Sequence, residues 1–436
     1  MKKYIIWILI LILLVMSCSC SKITDNRSTH SKSKDEVTIL TISTLGNSLQ
    51  TFIDEYEAKH KNVKINIKEY SMPDESSYEK YVKTVNTEIL SNNGSDIFNI
   101  QGLPFYQYIK KGALKNLNEF VKNDSELIEK NYFMNIIDGC KYNNSYYAIP
   151  ISYQFNCIGI DRDISQKAGI KTEKMNYFEF LDCLNKIYEE NSDVSIMPNN
   201  VPTPFYQLLL NSCYDNFIDL PGNAANFNTV EFRKLLNMTK VINDKYINKD
   251  TSNILINQNF DSLGLKVIPY SISNLDRLLI LKGIFNNNVT YMNFPVYNNS
   301  NTCKYLPTEI YGINSASKNS EEAWKFLKFL ISEDVQLQKK SGLPVNKKAF
   351  NSFLNNIQMN GLSLSAGTTK KYFPPFSESE LKSVRNMINN LKFYDAYNGS
   401  ISNLIYEEAL DFYNGTRSVD EVTLSIQERV EIYLGE

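Results

Sequence analysis

The chain has 436 residues, 43% of them hydrophobic and 22% charged, with a formal net charge of −2. These are the proportions of ordinary globular domains and not of a disordered chain, and the mixing of signs leaves no basic face, which argues against nucleic acid as a partner. The length exceeds what one hydrophobic core supports, so two lobes are predicted.

Lys2 and Lys3 precede an apolar run from Tyr4 to Met16, which leads into Val15-Met-Ser-Cys18. A basic start, a short apolar stretch and a small residue before a cysteine form the pattern of a secretory signal whose removal leaves a lipid-bearing N-terminal cysteine. The run falls short of the roughly 20 apolar residues that cross a bilayer. Residues 1–18 therefore read as a lipoprotein signal peptide with Cys18 as the lipidated residue, Cys20 being the alternative. The expected location is the extracellular face of a cell membrane. Residues 19–36 are almost free of apolar side chains and read as a flexible linker. The abundance of Lys, Asn, Ile and Tyr reads as the composition bias of an AT-rich genome, expected to be that of a Gram-positive bacterium.

Val37 to Ser43 is short and rich in β-branched residues, as a buried strand is, and Leu49, Phe52, Ile53 and Tyr56 follow at helical spacing behind the candidate caps Asn47 and Ser48. Val63, Ile65 and Ile67 alternate as in a strand, Tyr78 to Leu90 is helical, and Asp96 to Ile100 is a further strand. Alternation of this kind predicts an α/β fold with a mainly parallel sheet, whose ligands sit beyond the carboxyl ends of the strands. Ala148 to Ile151 and Cys157 to Ile160 read as two strand segments. Helical patterns follow near 177–188, 204–211 and 230–241, then strands at 265–270, 290–296 and 310–314. A long helix comes next, with Asn319 and Glu322 as an expected capping box and Ala323, Phe326, Leu327, Leu330 and Ile331 as its apolar stripe. Trp324 reads as packing. From about Asn351 a loop carrying Pro374 and Pro375 is expected, then helices at 400–413 and beyond a second capping box, Ser418 with Glu421.

Reactive chemistry is scarce. His30 lies in the linker and His60 at the end of a Lys-flanked helix, so neither suits a buried triad or a metal cluster. There is no Gly-x-Ser-x-Gly elbow, no phosphate-cradling loop and no His-Glu-x-x-His. Cys140, Cys157, Cys183, Cys213 and Cys303 are scattered without a Cys-x-x-Cys pair and read as buried small hydrophobes, not as a zinc site or disulfide framework. No metal, cofactor or catalytic residue is expected. A pair of carboxylates acting on a glycoside leaves no spacing signature and stays open as an alternative.

The stretch Gly312-Ile-Asn-Ser-Ala-Ser-Lys-Asn-Ser-Glu-Glu-Ala-Trp-Lys-Phe-Leu-Lys-Phe-Leu330, followed by Gly342-Leu-Pro-Val-Asn-Lys347, resembles the extracellular solute-binding proteins of ABC importers, in the maltodextrin and multiple-sugar group (family 1). Collinear matches are Phe52-Ile-Asp-Glu-Tyr-Glu57, Val63-Lys-Ile-Asn-Ile67, Asp96-Ile-Phe98, Tyr108-Ile-Lys-Lys-Gly-Ala-Leu-Lys-Asn-Leu117, Tyr146-Tyr-Ala-Ile-Pro150, Ile158-Gly-Ile-Asp-Arg162 and Gly415-Thr-Arg-Ser-Val-Asp-Glu421. The resemblance implies the two-lobed type II periplasmic-binding-protein-like fold, with discontinuous lobes at 37–150 plus 310–345 and 151–309 plus 346–436. Hinge strands are implied near Pro150 to Phe155, Glu309 to Gly312 and Gly342 to Asn346. It also implies capture of a solute by closure of the lobes, delivery to membrane permease subunits, and a monomer.

Carried onto this chain, the cleft positions are Asn47, Gln101, Tyr153, Gln154, Phe205, Tyr206, Ser273 and Asn274. Amides there can bond vicinal hydroxyls and aromatic rings can stack on a sugar face. Trp is missing from the turn after Val267 to Tyr270, where maltodextrin sites offer one, so a small neutral mono- or oligosaccharide is the expected solute and not a long glucan. The same fold serves ligand sensors of signalling systems, and a surface carbohydrate-active hydrolase is the third alternative.

Overall fold

The structure is a computed structural model that describes residues 37–46, 49–70, 75–91, 94–128, 131–172, 175–190, 195–196, 210, 212–219, 222–246, 265–295, 297, 303–366, 369–394 and 399–435. Cys18, Asn47, Phe205 and Tyr206 lie outside the described residues. The strands, in chain order, are β1 (Thr38–Leu45), β2 (Val63–Tyr70), β3 (Ile97–Asn99), β4 (Ala148–Asp161), β5 (Ser195–Ile196), β6 (Ile218–Asp219), β7 (Ala224–Ala225), β8 (Leu265–Ile272), β9 (Val289–Asn293), β10 (Cys303–Ile313), β11 (Leu343–Pro344), β12 (Leu362–Ala366), β13 (Thr369–Phe373) and β14 (Leu391–Tyr394).

Ten of them join one sheet along the path β2-β1-β3-β10-β4-β8-β5, with β9 and β11 paired to β4 and β14 to β10. β1 runs parallel to both β2 and β3, setting Ile42 beside Ile67 and Ile97. The sheet is nonetheless mixed and not mainly parallel. The chain leaves on β4 and returns beside it on β10, so these neighbours run in opposite directions, and β8, β9 and β11 also pair antiparallel to β4. Hydrophobic periodicity carries no strand direction, which is why alternation alone overstated the parallel content.

Two hydrophobic cores flank this sheet. One gathers Leu40, Ile42, Phe98, Tyr153, Phe155, Tyr305 and Tyr311 with the stripe Ala323, Phe326, Leu327 and Leu330. The other gathers Ile158, Ile160, Phe180, Leu184, Phe217, Phe232 and the face Ile401, Ile405, Val422, Ile426 and Val430 of the last two helices, Gly399–Tyr413 and Val419–Gly435. Trp324 is buried against Phe120, ring centroids 5.5 Å apart. Cys140, Cys157 and Cys213 are buried thiols, and desolvation pushes that of Cys140 up to about 12.

Three local expectations fail for identifiable reasons. The segments at 148–151 and 157–160 are one strand, because Tyr153, Phe155 and Cys157 continue the pleat into the first core. The Asn319 capping box does not form: the Asn319 side chain donates to the Ile39 carbonyl at 3.0 Å, and Glu322 accepts from the Tyr56 hydroxyl at 2.6 Å. The loop expected from Asn351 is instead a helix, Lys347–Asn360, followed by the β12–β13 hairpin. Asn346 starts that helix by accepting from the Lys348 and Ala349 N–H groups. The second box does form, with Ser418 N–H donating to Glu421 at 2.8 Å and Glu421 N–H to the Ser418 hydroxyl at 3.3 Å.

Candidate functional site

β4 passes from one core to the other, and its burial shows where the two part. Side chains alternate across a strand. The odd positions Tyr153, Phe155 and Cys157 all enter the first core, while Ile158 and Ile160 on the even face enter the second. Before them on that face, Ser152 is fully buried, Gln154 half-buried and Asn156 exposed. Two amides thus open to solvent in the middle of a strand that is otherwise closed. Antiparallel partners share a face, so Leu306 of β10 lies beside Gln154 and Ser271 of β8 beside Asn156, both half-buried. The result is a neutral polar strip between the cores.

The first-core rim of this strip is the carboxyl end of β1 and β3. Asn99 is buried and accepts from the Gln101 N–H at 3.0 Å through its side chain, while the Tyr81 hydroxyl donates to its carbonyl. Ile100 N–H donates to the Ile310 carbonyl at 2.9 Å. Gln101 is therefore held by its backbone. Thr44 is buried against the Tyr311 hydroxyl at 2.8 Å, and burial, with the Glu309 carboxylate nearby, keeps that phenol protonated far above its ordinary range. Along β10, Ile310 sits beside the Gln101 turn and Leu306 beside Gln154, four residues apart. That is a span of roughly 13 Å, the reach of a mono- or disaccharide-sized molecule.

The other rim of the strip is the end of β8, where Ile272 and Leu275 are buried in the first core. Ser273 and Asn274 are half-buried there. The Asn274 side-chain oxygen accepts the Arg277 N–H at 3.2 Å and so starts the helix Asp276–Ile284. Arg277 lies over the Tyr270 ring at 5.5 Å. Burial raises the Tyr270 phenol above its ordinary value, and it raises the Asp276 carboxyl as well.

Among the residues expected in the cleft, the structure places Gln101, Gln154, Ser273 and Asn274 at this strip and its rims. The side chains of Gln101, Gln154 and Ser273 make no hydrogen bond among the described residues, whereas Asn274 spends its oxygen on the helix start. Tyr153 is fully buried on the opposite face from Gln154, edge-on to Tyr305 at 6.1 Å, and its hydroxyl has no hydrogen-bond partner among the described residues. A buried polar group without a bond costs stability, so Tyr153→Phe is expected to leave the unfolding free energy unchanged or raise it by about 1 kcal/mol at most, read as an equal or higher melting temperature, and to leave solute affinity intact. A drop in affinity would put the phenol in contact with the solute. Asn156, Ser271 and Leu306 were missed by sequence reasoning. The signal was present in Ile151-Ser-Tyr-Gln-Phe-Asn-Cys157, where the polar residues fall on alternate positions of an apolar strand.

Beneath the strip the three segments expected as hinges meet. Leu343 and Pro344 of β11 pair with Tyr153 and Ser152 of β4, which pairs on its other edge with β10. The Ser152 and Thr308 hydroxyls are 2.6 Å apart, Lys339 and Glu309 pair at 2.7 Å, and buried Gln336 bonds both the Ile151 carbonyl and the Val345 N–H at 2.9 Å. Gly342 has φ +80°, and a Cβ there would sit 2.4 Å from Thr308 Oγ1 and 2.6 Å from Ser152 Cβ. Gly342→Ala is expected to cost roughly 1–3 kcal/mol, read as a lower denaturation midpoint; an unchanged midpoint would show that this crossing yields freely.

No group of three His, Cys, Asp or Glu among the described residues could hold a metal ion, and no helix there is long and apolar enough to cross a membrane. The strip offers amides and hydroxyls, which bind and orient.

The profile of the family described as bacterial extracellular solute-binding protein matches residues 42–337. The chain belongs to that family. Members are binding proteins, and the mixed α/β architecture is that of the two-lobed type II periplasmic-binding-protein-like fold. Solved structures share it at low identity. The sugar-binding protein MalE from Xanthomonas citri aligns with TM-score 0.63 and 14% identity over 91% of this chain and 98% of its own. A family 1 extracellular solute-binding protein from Alicyclobacillus acidocaldarius gives 0.59 and 15% over 93% and 100%. An ABC substrate-binding protein from Listeria monocytogenes in complex with cycloalternan gives 0.56 and 15% over 92% and 100%. No curated protein matches the sequence.

Proposed function

We infer that this family member is the lipid-anchored solute receptor of an ABC importer, and that it captures a small neutral saccharide in the cleft between its lobes and presents it to the permease. The observation that carries the reading is the strip of half-buried Gln154, exposed Asn156 and half-buried Ser271, side chains with both donors and acceptors that make no hydrogen bond among the described residues. A planar amide can give and take a hydrogen bond at once, which matches adjacent hydroxyls on a sugar ring. The strip itself carries no charged side chain, as suits a neutral ligand. The sugar-binding structures that share the fold support the same solute class. The N-terminal pattern ending at Cys18 supports the anchor, and with it a place on the extracellular face of the membrane. Closure of the lobes then reports occupancy to the permease, since a ligand that prefers the closed state shifts the population toward it.

The test is a thermal-shift screen of residues 37–436 against mono- and oligosaccharides, with peptides and polyamines as controls. A saccharide at about 100 times its dissociation constant should stabilise by roughly 2.7 kcal/mol. A response to a peptide or polyamine with silence across the sugars would overturn the solute class.

A further inference from the structure

The amides of the strip can bond a sugar's hydroxyls, but Tyr153 turns to the opposite face of β4, so the strip itself offers no ring to a sugar's apolar face. An exposed aromatic side chain on a neighbouring strand shares the strip's face. On β10, Lys304 stands two residues before Leu306 and so on the same side of the strand. β14 runs parallel to the start of β10, and its register sets Phe393 beside Lys304 and Tyr394 beside Tyr305. A bulge in this ladder between Cys303 and Lys304 gives β14 one extra residue, Lys392. The bulge sorts the strand by face: Leu391 and Tyr394 pack on the first core, whereas Lys392 and Phe393 are exposed, Phe393 by 52%. Paired strands lie about 4.8 Å apart and two residues advance a strand by about 6.7 Å, which puts Phe393 roughly 8 Å from Leu306 and roughly 12 Å from Gln154. Between them the Lys304 ammonium is paired with Asp215, so its charge is balanced.

We propose that Phe393 is a specificity-determining residue, the stacking platform for the second ring of a disaccharide whose first ring is held by Gln154 and Asn156. An exposed phenyl ring offers an apolar face to the C–H face of a pyranose, and contact between them removes both surfaces from water. A ring held at Gln154 leaves Phe393, about 12 Å away, to the next ring of the same molecule. The amides therefore bind any sugar that fits them, and Phe393 adds affinity that a disaccharide alone collects. The inference rests on the saccharide reading above and narrows it to disaccharides.

The test titrates the full chain by calorimetry with maltose, cellobiose, sucrose and trehalose, each beside glucose. Wild type should bind one of the disaccharides more tightly than glucose. Phe393→Ala should weaken that disaccharide about three- to tenfold and leave glucose binding as it was, closing the gap between them. Phe393→Trp should keep the preference, and its emission, taken as a difference from wild type, which shares Trp7 and Trp324, should move to shorter wavelength with the disaccharide and not with glucose. Tyr372→Ala removes another exposed ring, on the separate β12–β13 hairpin, and should bind as wild type does. Thermal melts check each variant; should Phe393→Ala melt early, Phe393→Leu, which keeps apolar bulk without a ring, carries the comparison. Equal disaccharide affinity in wild type and the Phe393 variants, an equal fractional loss for glucose, or the same loss in Tyr372→Ala would overturn the platform and leave the saccharide reading in place. Silence of wild type toward every sugar would remove that reading and the platform with it.

Discussion

Replacing Gln154 and Asn156 together by alanine is expected to weaken saccharide binding by roughly two orders of magnitude while leaving the fold as stable as before. Between them the two amides can make two or three bonds to a sugar, a neutral hydrogen bond is worth about 1 kcal/mol, and about 2–3 kcal/mol in all corresponds to a loss of roughly 30- to 150-fold. Neither side chain bonds to the rest of the described protein, so nothing internal is lost on truncation. Titration calorimetry with the sugar found by the thermal-shift screen reads the first effect and melting of the ligand-free variant reads the second. Wild-type affinity in the double variant would remove the strip from the binding site. Equal loss of affinity and stability would make the amides structural.

The second large effect concerns the second half of the sheet. Lys282, on the helix after β8, is 7% exposed at its side chain and donates to Glu380 at 2.9 Å and to the Pro375 carbonyl at 2.8 Å. Glu380, 6% exposed, also accepts from the Ser377 N–H at 2.8 Å and the Ser377 hydroxyl at 3.0 Å as the N3 residue of a capping box. Removing Lys282 leaves the buried Glu380 carboxylate with only the longer contact to half-exposed Arg162 at 3.8 Å, so Lys282→Met is expected to destabilise by about 3 kcal/mol. Replacing both with apolar residues of similar size should recover most of that loss. The pair also sets an acid limit. Burial alone would raise the Glu380 carboxyl, but the Lys282 ammonium and the Ser377 donors outweigh it and hold the value below its ordinary 4.5. A carboxyl with a depressed folded value contributes its full stability above about pH 4.5 and loses it as pH falls through the lower folded value. Denaturation midpoints that do not converge between wild type and Glu380→Gln as the pH drops below that range would show that the pair does not govern acid unfolding.

Much of this architecture was legible in the residues. Phe52, Ile53 and Tyr56 declared their helix, Ile42 and Ile67 their strands, and Ala323, Phe326, Leu327 and Leu330 their buried stripe, because each pattern reflects one face meeting one core. What escaped depends on pairing between distant segments. Nothing local says that Asn319 will turn to the Ile39 carbonyl, or that β4 and β10 will lie side by side in opposite directions. The candidate site divides the same way. Gln101, Gln154 and Ser273 were reached by position along a resemblance, and each is half-buried with no side-chain hydrogen bond among the described residues. Tyr153 was selected with its neighbour, yet one step along a strand reverses the face, and only the second core's boundary at Ile158 shows that the even face is the open one. Asn156 followed from that boundary and could not be ranked without it.

Solution scattering of residues 37–436, titrated with the saccharide that raises the melting temperature, tests the account most directly. Capture by closure over the Gln154–Asn156 strip predicts a radius of gyration that falls with added sugar and levels off at the concentration where the thermal shift saturates. A radius that stays constant at saturation would contradict it.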